Sequence, residues 1–267
     1  MNKFIILIGS YNNEPWVENN VGSVMMQDYT DYKVIYFNDA STDNTLKNVK
    51  NKIAGDSRFT IHSVTDRKYK TWFFHKIGSE MYPIDNDDIL VFLDGDDMLS
   101  SENVLSYLDE VYNKTKCWLT YGGMQVWDGN SLIEPFPQNS EIPPQVIEKK
   151  LYRQDLWRTS HLKTMRGLLW NKFNREDLLP NKIFEPCQDD LAIMFAMLEL
   201  CPPSKVHRVI DPVYIYNTSH TNGGSRGCTE LKTKSHLETI IRNYKPYGTL
   251  ALELSHLLID VFDSIKN

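Results

Sequence analysis

Ile89-Leu90-Val91-Phe92-Leu93-Asp94-Gly95-Asp96-Asp97 is the stretch that decides the fold, because five apolar residues run directly into three carboxylates. The apolar run has the length and composition of a buried strand. Carboxylates packed so closely repel one another, and some would be forced to bind protons. A divalent cation removes this conflict, since hard cations prefer oxygen ligands. The motif alone leaves two interpretations open: a cation site, or an Asp-Gly turn before a helix over residues 100–113.

Alternation of strands and helices precedes this stretch. The strands are predicted at residues 4–8, 32–37 and 59–64, and the helices from Pro15, through residues 46–53 and over residues 71–81. Strands that are apolar throughout are typical of a parallel sheet covered by helices on both faces, which indicates the α/β class. Ligands bind such sheets at the carboxyl ends of the strands. The residues expected there are Ser10, Tyr11, Asn12, Asp39 and the acidic run.

The remainder of the chain has weaker signals. We expect one or two strands in residues 118–127, a loop over 128–144, helical segments at 150–157 and 163–174, a helix over 188–200, strands at 205–210 and 212–217, a glycine-rich loop at 218–228 and amphipathic helices to the end. The helix over 188–200 is apolar on every side, which predicts that it is buried.

Composition excludes several classes of protein. The net charge of −6 and the absence of a basic block argue against a nucleic-acid-binding surface. The four cysteines are far apart without CxxC spacing, which argues against a zinc knuckle or a disulfide framework. No apolar run reaches 18 residues, and the first is too short for a signal peptide, so no transmembrane segment is expected. We therefore expect a soluble cytoplasmic protein, with peripheral membrane association left open.

A second acidic pair, Asp189-Asp190, begins the apolar helix. The helix dipole and the free backbone N–H groups stabilise carboxylates at this end. Capping explains one carboxylate, but two adjacent ones invite a second explanation. The same field keeps a carboxylate ionised, as a general base requires.

Other polar residues are candidates for ligand binding. Tyr11 can stack on a nucleobase, and Asp39 can accept hydrogen bonds from a base or a ribose. The GxGxxG fingerprint is absent, which disfavours a nicotinamide enzyme. His220 is a candidate nitrogen ligand for the cation. Arg67 belongs to a short basic run after the third strand, for which a solvated surface is the alternative.

Three segments resemble the family 2 glycosyltransferases of the GT-A fold. Residues 10–45, SYNNEPWVENNVGSVMMQDYTDYKVIYFNDASTDNT, are similar to the family's opening strand, helix and NDGSTDNT turn, with Ala40 where glycine is usual. VFLDGDD, residues 91–97, resembles its DxD segment. QDDLAIMF, residues 188–195, resembles its later acidic pair, in which Asp189 stands where glutamate is usual.

The resemblance implies a GT-A fold with a mostly parallel central sheet and a helical C-terminal part. Its parts are a nucleotide-sugar-binding half (1–128), an acceptor and catalytic-base half (129–228) and C-terminal helices (229–267). By the same resemblance, the nucleotide-sugar is bound by Ser10, Tyr11, Asn12, Asp39, Arg67, Asp94, Gly95 and Asp96. An Mn²⁺ or Mg²⁺ ion is bound by Asp94, Asp96, Asp97 and His220, and the catalytic pair is Asp190 as base with Asp189.

The implied activity is metal-dependent, inverting transfer of a sugar from a nucleotide-diphosphate donor to a hydroxyl of a glycan, a lipid-linked acceptor or a protein. Two alternatives stay open. A sugar-nucleotide pyrophosphorylase normally has a glycine-rich basic loop after the first strand, and residues 9–13 lack that character. A non-catalytic nucleotide- or glycan-binding module would keep the donor site while Asp190 would be dispensable.

Overall fold

The computed structural model describes residues 1–133, 139–179, 188–219 and 231–251. The strands are β1 (Phe4–Ser10), β2 (Tyr32–Asp39), β3 (Phe59–Val64), β4 (Ile89–Asp94), β5 (Met98–Leu99), β6 (Leu119–Trp127), β7 (Leu132–Ile133), β8 (Lys163–Arg166) and β9 (Val206–Asn217). The α-helices are α1 (Val17–Met25), α2 (Thr45–Ile53), α3 (Tyr69–Lys76), α4 (Val104–Thr115), α5 (Pro144–Glu148), α6 (Gly167–Lys172), α7 (Asp189–Leu200) and α8 (Leu231–Arg242).

The strands form one sheet in the order β3-β2-β1-β4-β8-β6-β9-β5, with β7 paired to β6. The first four strands in this order are parallel, whereas β8 runs antiparallel to both β4 and β6. In the register, Gly9 lies opposite Asp94 and Ser10 lies opposite Asn38. The carboxyl ends of β1, β2 and β4 therefore meet at one edge, and the expected α/β fold class with a mostly parallel sheet is confirmed.

Both faces of the sheet are buried at β1, β2 and β4, which explains why these strands are apolar rather than alternating. Every residue of β1 is buried. Ile5 and Leu7 pack in a core with residues of α3, α6 and α7. Phe4, Ile6 and Ile8 pack in a second core with residues of α1 and α4.

Two predicted helical segments are wrong. The segment at 163–174 begins as strand β8, and helix α6 starts only at Gly167. Strand β8 fills the space between β4 and β6, and these pairings decide its structure. The segment at 150–157 contains turns and irregular chain, and the nearby helix α5 lies earlier, at Pro144–Glu148.

The two strands predicted at 205–210 and 212–217 are a single strand, β9, which pairs with β6 over residues 206–209 and 214–217. The register of this pair shifts between Gly122 and Met124. Gly122 and Gly123 have φ values of +104° and +72°, the left-handed region that favours glycine. The bulge is in β9, whose residues 210–213 lie opposite the single residue Gly123 of β6.

The C-terminal helix α8 contributes to the core through Leu237 and Ile241, which are each 1 % exposed. The part of the predicted amphipathic helices from residue 252 onwards lies outside the described residues. No helix in the described part of the chain combines the length and apolar character that crossing a bilayer requires.

Candidate active site

The loop that follows β4 is anchored at the sheet edge by a buried asparagine. Asn20 of α1 donates from Nδ2 to the carbonyl oxygens of Asp94 and Asp97, at 2.9 and 2.8 Å. Gly95 lies so close to β1 that an added Cβ would be 2.7 Å from Cβ of Ser10. Glycine is therefore required at position 95, because the loop after β4 passes so close to the end of β1.

Asp97 fastens this loop to β9. Its carboxylate accepts hydrogen bonds from the Tyr214 hydroxyl at 2.5 Å and from the Asn217 backbone N–H at 2.8 Å. Burial, together with the charges of Asp96 and Asp94, raises the pKa of Asp97 well above its ordinary value. Asn217 also donates from its side chain to the carbonyl oxygen of Asp96 at 3.1 Å.

Asp94 pairs with a lysine that also approaches the second acidic pair. Lys70 Nζ lies 2.7 Å from Oδ1 of Asp94 and 3.6 Å from Oδ2 of Asp189. Burial acts to raise the pKa of Asp94, but the charges of Lys70 and other nearby basic groups together outweigh burial, so the pKa is lowered. The ammonium group of Lys70 thus links the loop after β4 to the N-terminus of α7.

Asp39 is buried and organises the loop after β3. Its carboxylate accepts hydrogen bonds from Arg67 Nε at 2.8 Å, the Lys68 backbone N–H at 2.6 Å and the Tyr69 backbone N–H at 3.0 Å. The Arg67 guanidinium lies over the ring of Tyr11, 3.4 Å from its centroid. The structure thus brings together Tyr11, Asp39 and Arg67.

The loops after β1 and β2 are tied together by Asn12. The Asn12 backbone N–H donates to Oγ of Ser41 at 3.0 Å, and its Oδ1 accepts from the Thr42 backbone N–H at 2.8 Å. Ala40, in the same turn, has a φ of +57°. This left-handed conformation is the physical reason why glycine suits that position.

The second acidic pair starts α7, and its members differ in environment. Burial raises the pKa of Asp189 to about 6, and its Oδ2 has no hydrogen-bond partner among the described residues. Asp190 pairs through Oδ1 with the ammonium of Lys163 on β8. Burial opposes ionisation of Asp190, but Lys163 and Lys70 outweigh it and lower its pKa. Asp190 is therefore the more readily ionised of the two.

His161 is a site residue that the sequence did not single out. Its ring stacks on Tyr214, with a centroid distance of 4.8 Å, and on Tyr216, at 5.6 Å. Burial and the Lys163 charge lower its pKa to about 4, so the imidazole is neutral and able to bind a metal. Its Nδ1 is buried without a hydrogen-bond partner among the described residues.

The environment of His161 fits a divalent cation. Asp94, Asp97 and His161 each offer a ligand atom, and these atoms lie within 4.8 Å of one another. Carboxylate oxygens with an imidazole nitrogen form a donor set that divalent metals accept. Asp96 lies in the same loop and is half-buried. His220, the histidine predicted as a ligand, lies outside the described residues.

A family model and known proteins match this chain. Residues 5–175 match the model for glycosyl transferase family 2. An uncharacterized glycosyltransferase of Haemophilus influenzae is 22 % identical over 184 residues, and the match covers 62 % of this chain and 54 % of that protein. The chain therefore spans about half the length of this relative.

Two solved structures share the fold. One is residues 1–349 of S. aureus TarS in complex with UDP-GlcNAc, with a TM-score of 0.62 and 16 % identity over 95 % of this chain and 69 % of the other. The second is mannosyltransferase PcManGT of Pyrobaculum calidifontis in complex with GDP-Man and Mn²⁺, with a TM-score of 0.57 and 14 % identity over 92 % of this chain and 66 % of the other. At such identities the likeness establishes the GT-A fold alone.

Proposed function

Since this chain belongs to glycosyl transferase family 2, we propose that it transfers a sugar from a nucleotide-diphosphate donor to an acceptor hydroxyl. The transfer inverts the anomeric carbon and depends on a divalent metal. The observation that carries the proposal is the position of Lys70 between Asp94 and Asp189. This position supports the proposal, because transfer between a metal-bound donor and a general base requires the acidic loop and the second acidic pair to lie close together.

The donor nucleotide binds at the edge formed by β1, β2 and β4. Tyr11 provides an aromatic face for the base, and Asp39 and Arg67 provide an acceptor and donors of hydrogen bonds beside it. Ser10, Asn12 and Gly95 shape the adjoining loops. The UDP-GlcNAc and GDP-Man complexes of the two structural neighbours support a nucleotide-sugar as the donor.

Mn²⁺ or Mg²⁺ would be held by Asp94, Asp96, Asp97 and His161. His220, predicted from the sequence, remains a proposed further ligand of the ion. The clustered ligand atoms support this assignment, as does Nδ1 of His161, which has no hydrogen-bond partner in the described ranges of the chain. When bound, the ion supplies positive charge that stabilises the departing diphosphate.

Asp190 acts as the general base, and Asp189 contributes to the charge balance around it. The acceptor hydroxyl gives its proton to the Asp190 carboxylate while its oxygen attacks the anomeric carbon. The bond from that carbon to the diphosphate oxygen breaks, and its electron pair leaves with the diphosphate. One displacement inverts the centre, and no second carboxylate has to protonate the leaving group, in contrast to glycosidases.

The experiment is a turnover assay with a panel of nucleotide sugars and candidate acceptors, which detects the released nucleoside diphosphate. For a donor that is used, Asp190→Asn should lower kcat about 100-fold or more and leave donor affinity in calorimetry unchanged. Asp66→Asn, an exposed aspartate in the loop after β3, is the matched control. Unchanged turnover in Asp190→Asn removes Asp190 as the base, and retention of the anomeric configuration in the product removes the single displacement.

A further inference from the structure

Lys163 has a charged side chain that is buried in the sheet. It is the first residue of β8, between β4 and β6, and its side chain is only 3 % exposed. Burying an ammonium is costly unless a partner of opposite charge compensates for the lost hydration. Among the described residues, Asp190 is the one acid whose carboxylate lies within 4.0 Å of Lys163 Nζ.

The two lysines of the site, half-buried Lys70 and buried Lys163, contact different carboxylates. Lys70 lies between Asp94 and Asp189, whereas Lys163 contacts Asp190. The Asp190 side chain is 31 % exposed, in contrast to 7 % for Asp189. Asp190 is therefore the member of the pair that an acceptor can reach.

Only one carboxylate oxygen of Asp190 accepts a hydrogen bond within the described part of the chain. Lys163 donates to Oδ1, and in the described part of the chain no donor contacts Oδ2. Lys163, which pairs with Phe92 of β4 in the sheet, thus orients the carboxylate at the N-terminus of α7. This orientation leaves the second oxygen available for the proton of the acceptor.

We propose that Lys163 is a positioning residue, which fixes the Asp190 carboxylate in the orientation that accepts the acceptor proton. The inference rests on the proposed function and adds to it a residue outside the acidic motifs. A displacement of about 1 Å of a catalytic group lowers rates by about 100-fold. Loss of Lys163 should therefore lower kcat with little change in the binding of the donor.

The test compares Lys163→Met, Lys163→Gln and Lys163→Arg with wild type, for the donor that the turnover panel identifies. We expect Lys163→Met and Lys163→Gln to lower kcat about 100-fold, with donor affinity in calorimetry unchanged. Lys163→Arg should recover most of kcat because it retains the buried charge and the hydrogen bond. Lys3→Met is the matched control, since Lys3 pairs with buried Asp88 at the other edge of the sheet, and its kcat should stay that of wild type.

A double variant separates positioning from a general loss of structure. If Lys163 acts through Asp190, Lys163→Gln combined with Asp190→Asn should be no slower than Asp190→Asn alone. Wild-type kcat in Lys163→Gln, or additive losses in the double variant, would overturn the inference. A parallel loss of donor affinity would also overturn it, by making Lys163 a donor ligand. Absence of turnover in wild type with every donor is the distinct result that contradicts the proposed function itself.

Discussion

At the scale of single residues, the site is a balance of buried charges. Three aspartates of the two acidic motifs, Asp94, Asp189 and Asp190, lie beside two lysines, Lys70 and Lys163. Each carboxylate has a different neighbourhood, so their protonation differs although their chemistry is the same. Asp190 is stabilised as an anion, whereas Asp97 and Asp189 are biased towards the protonated form.

Asp189 should leave a signature in the pH dependence of stability. Its pKa is raised from 3.8 to about 6 in the folded state, mainly by burial. Between these values the folded state binds more protons than the unfolded state, so the stability contributed by Asp189 falls as pH rises through this window and is constant above it. Relative to wild type, Asp189→Asn should therefore gain up to about 3 kcal/mol of unfolding free energy between pH about 4 and about 6.

The measurement is urea unfolding of both proteins across this pH range. Asp66→Asn, which lacks the buried environment, is the control and should show no such trend. A difference between Asp189→Asn and wild type that is independent of pH would contradict the burial of an ionisable Asp189.

Asp39 should be important for stability as well as for the nucleotide. Asp39→Asn replaces a carboxylate that accepts three hydrogen bonds by an amide that can accept through one oxygen only. We expect a loss of about 1–3 kcal/mol in unfolding free energy, together with weaker binding of the nucleoside diphosphate in calorimetry. Wild-type stability and nucleotide affinity in Asp39→Asn would contradict the role of this carboxylate in holding the loop after β3.

The sequence predicted the acids of this site better than their partners. Carboxylates that follow a strand can be read from local pattern, as with Asp94 to Asp97. The pairing of Lys163 with Asp190 depends on β8 entering the sheet beside β4, which no local pattern of residues shows. For the same reason the basic run that contains Arg67 and Lys70 resembled a solvated surface, although both residues pair with site carboxylates.

At the scale of elements, the packing of Gly123 in β6 against the bulge of β9 helps to set the position of β9 behind the acidic loop. Asp97 is hydrogen-bonded to two residues of β9, so the register of this strand decides where the loop lies. An added Cβ at Gly123 would be 2.5 Å from the carbonyl oxygen of Asp211. Gly123→Ala should therefore lower the unfolding free energy by about 2–4 kcal/mol, from backbone strain and overpacking together.

Gly55→Ala is the matched control for this prediction. Gly55 has a similar φ of +86°, but nothing lies within 4 Å of an added Cβ. Gly55→Ala should lower the unfolding free energy by about 1 kcal/mol, from backbone strain alone. Equal losses in the two variants, measured by urea unfolding, would show that close packing at the bulge is unimportant.

The elements of the first hundred residues were predictable because their strands are long, apolar and separated by helices with clear periodicity. Residues 163–174 were misinterpreted for a physical reason. A strand of four residues is too short to show a period of two, and helix α6 follows it directly. Residues 163–166 form a strand because β8 pairs with β4 and β6 in the folded protein.

At the scale of the whole molecule, a buried ion pair joins the irregular segment after α5 to α7 and α8. Arg153 and Glu199 are bound through two hydrogen bonds of 2.6 and 2.9 Å, and their side chains are 2 % and 1 % exposed. Arg153 also donates to the carbonyl oxygen of Ile241 in α8, at 2.6 Å. The C-terminal helix is thus attached to the core by a charge as well as by apolar contacts.

Arg153→Met should be strongly destabilising because it leaves the Glu199 carboxylate buried without its counter-ion. We expect a loss of about 3–5 kcal/mol in unfolding free energy. In contrast, Arg58→Met removes the partly exposed pair with Asp56 and should cost less than about 1 kcal/mol. Similar losses in the two variants would contradict the structural role of the Arg153–Glu199 pair.

The central claim is that the edge formed by β1, β2 and β4 binds a nucleotide-diphosphate sugar together with a divalent cation. Thermal unfolding in the presence of UDP-, GDP- and other nucleotide sugars, with Mn²⁺ or with a chelator, tests it most directly, since a ligand of the native state raises Tm. We predict that at least one nucleotide sugar raises Tm with Mn²⁺ but not with the chelator, and that Asp96→Ala abolishes the increase while Asp66→Asn retains it. The absence of any increase in Tm, or an equal increase with the chelator, would contradict the claim.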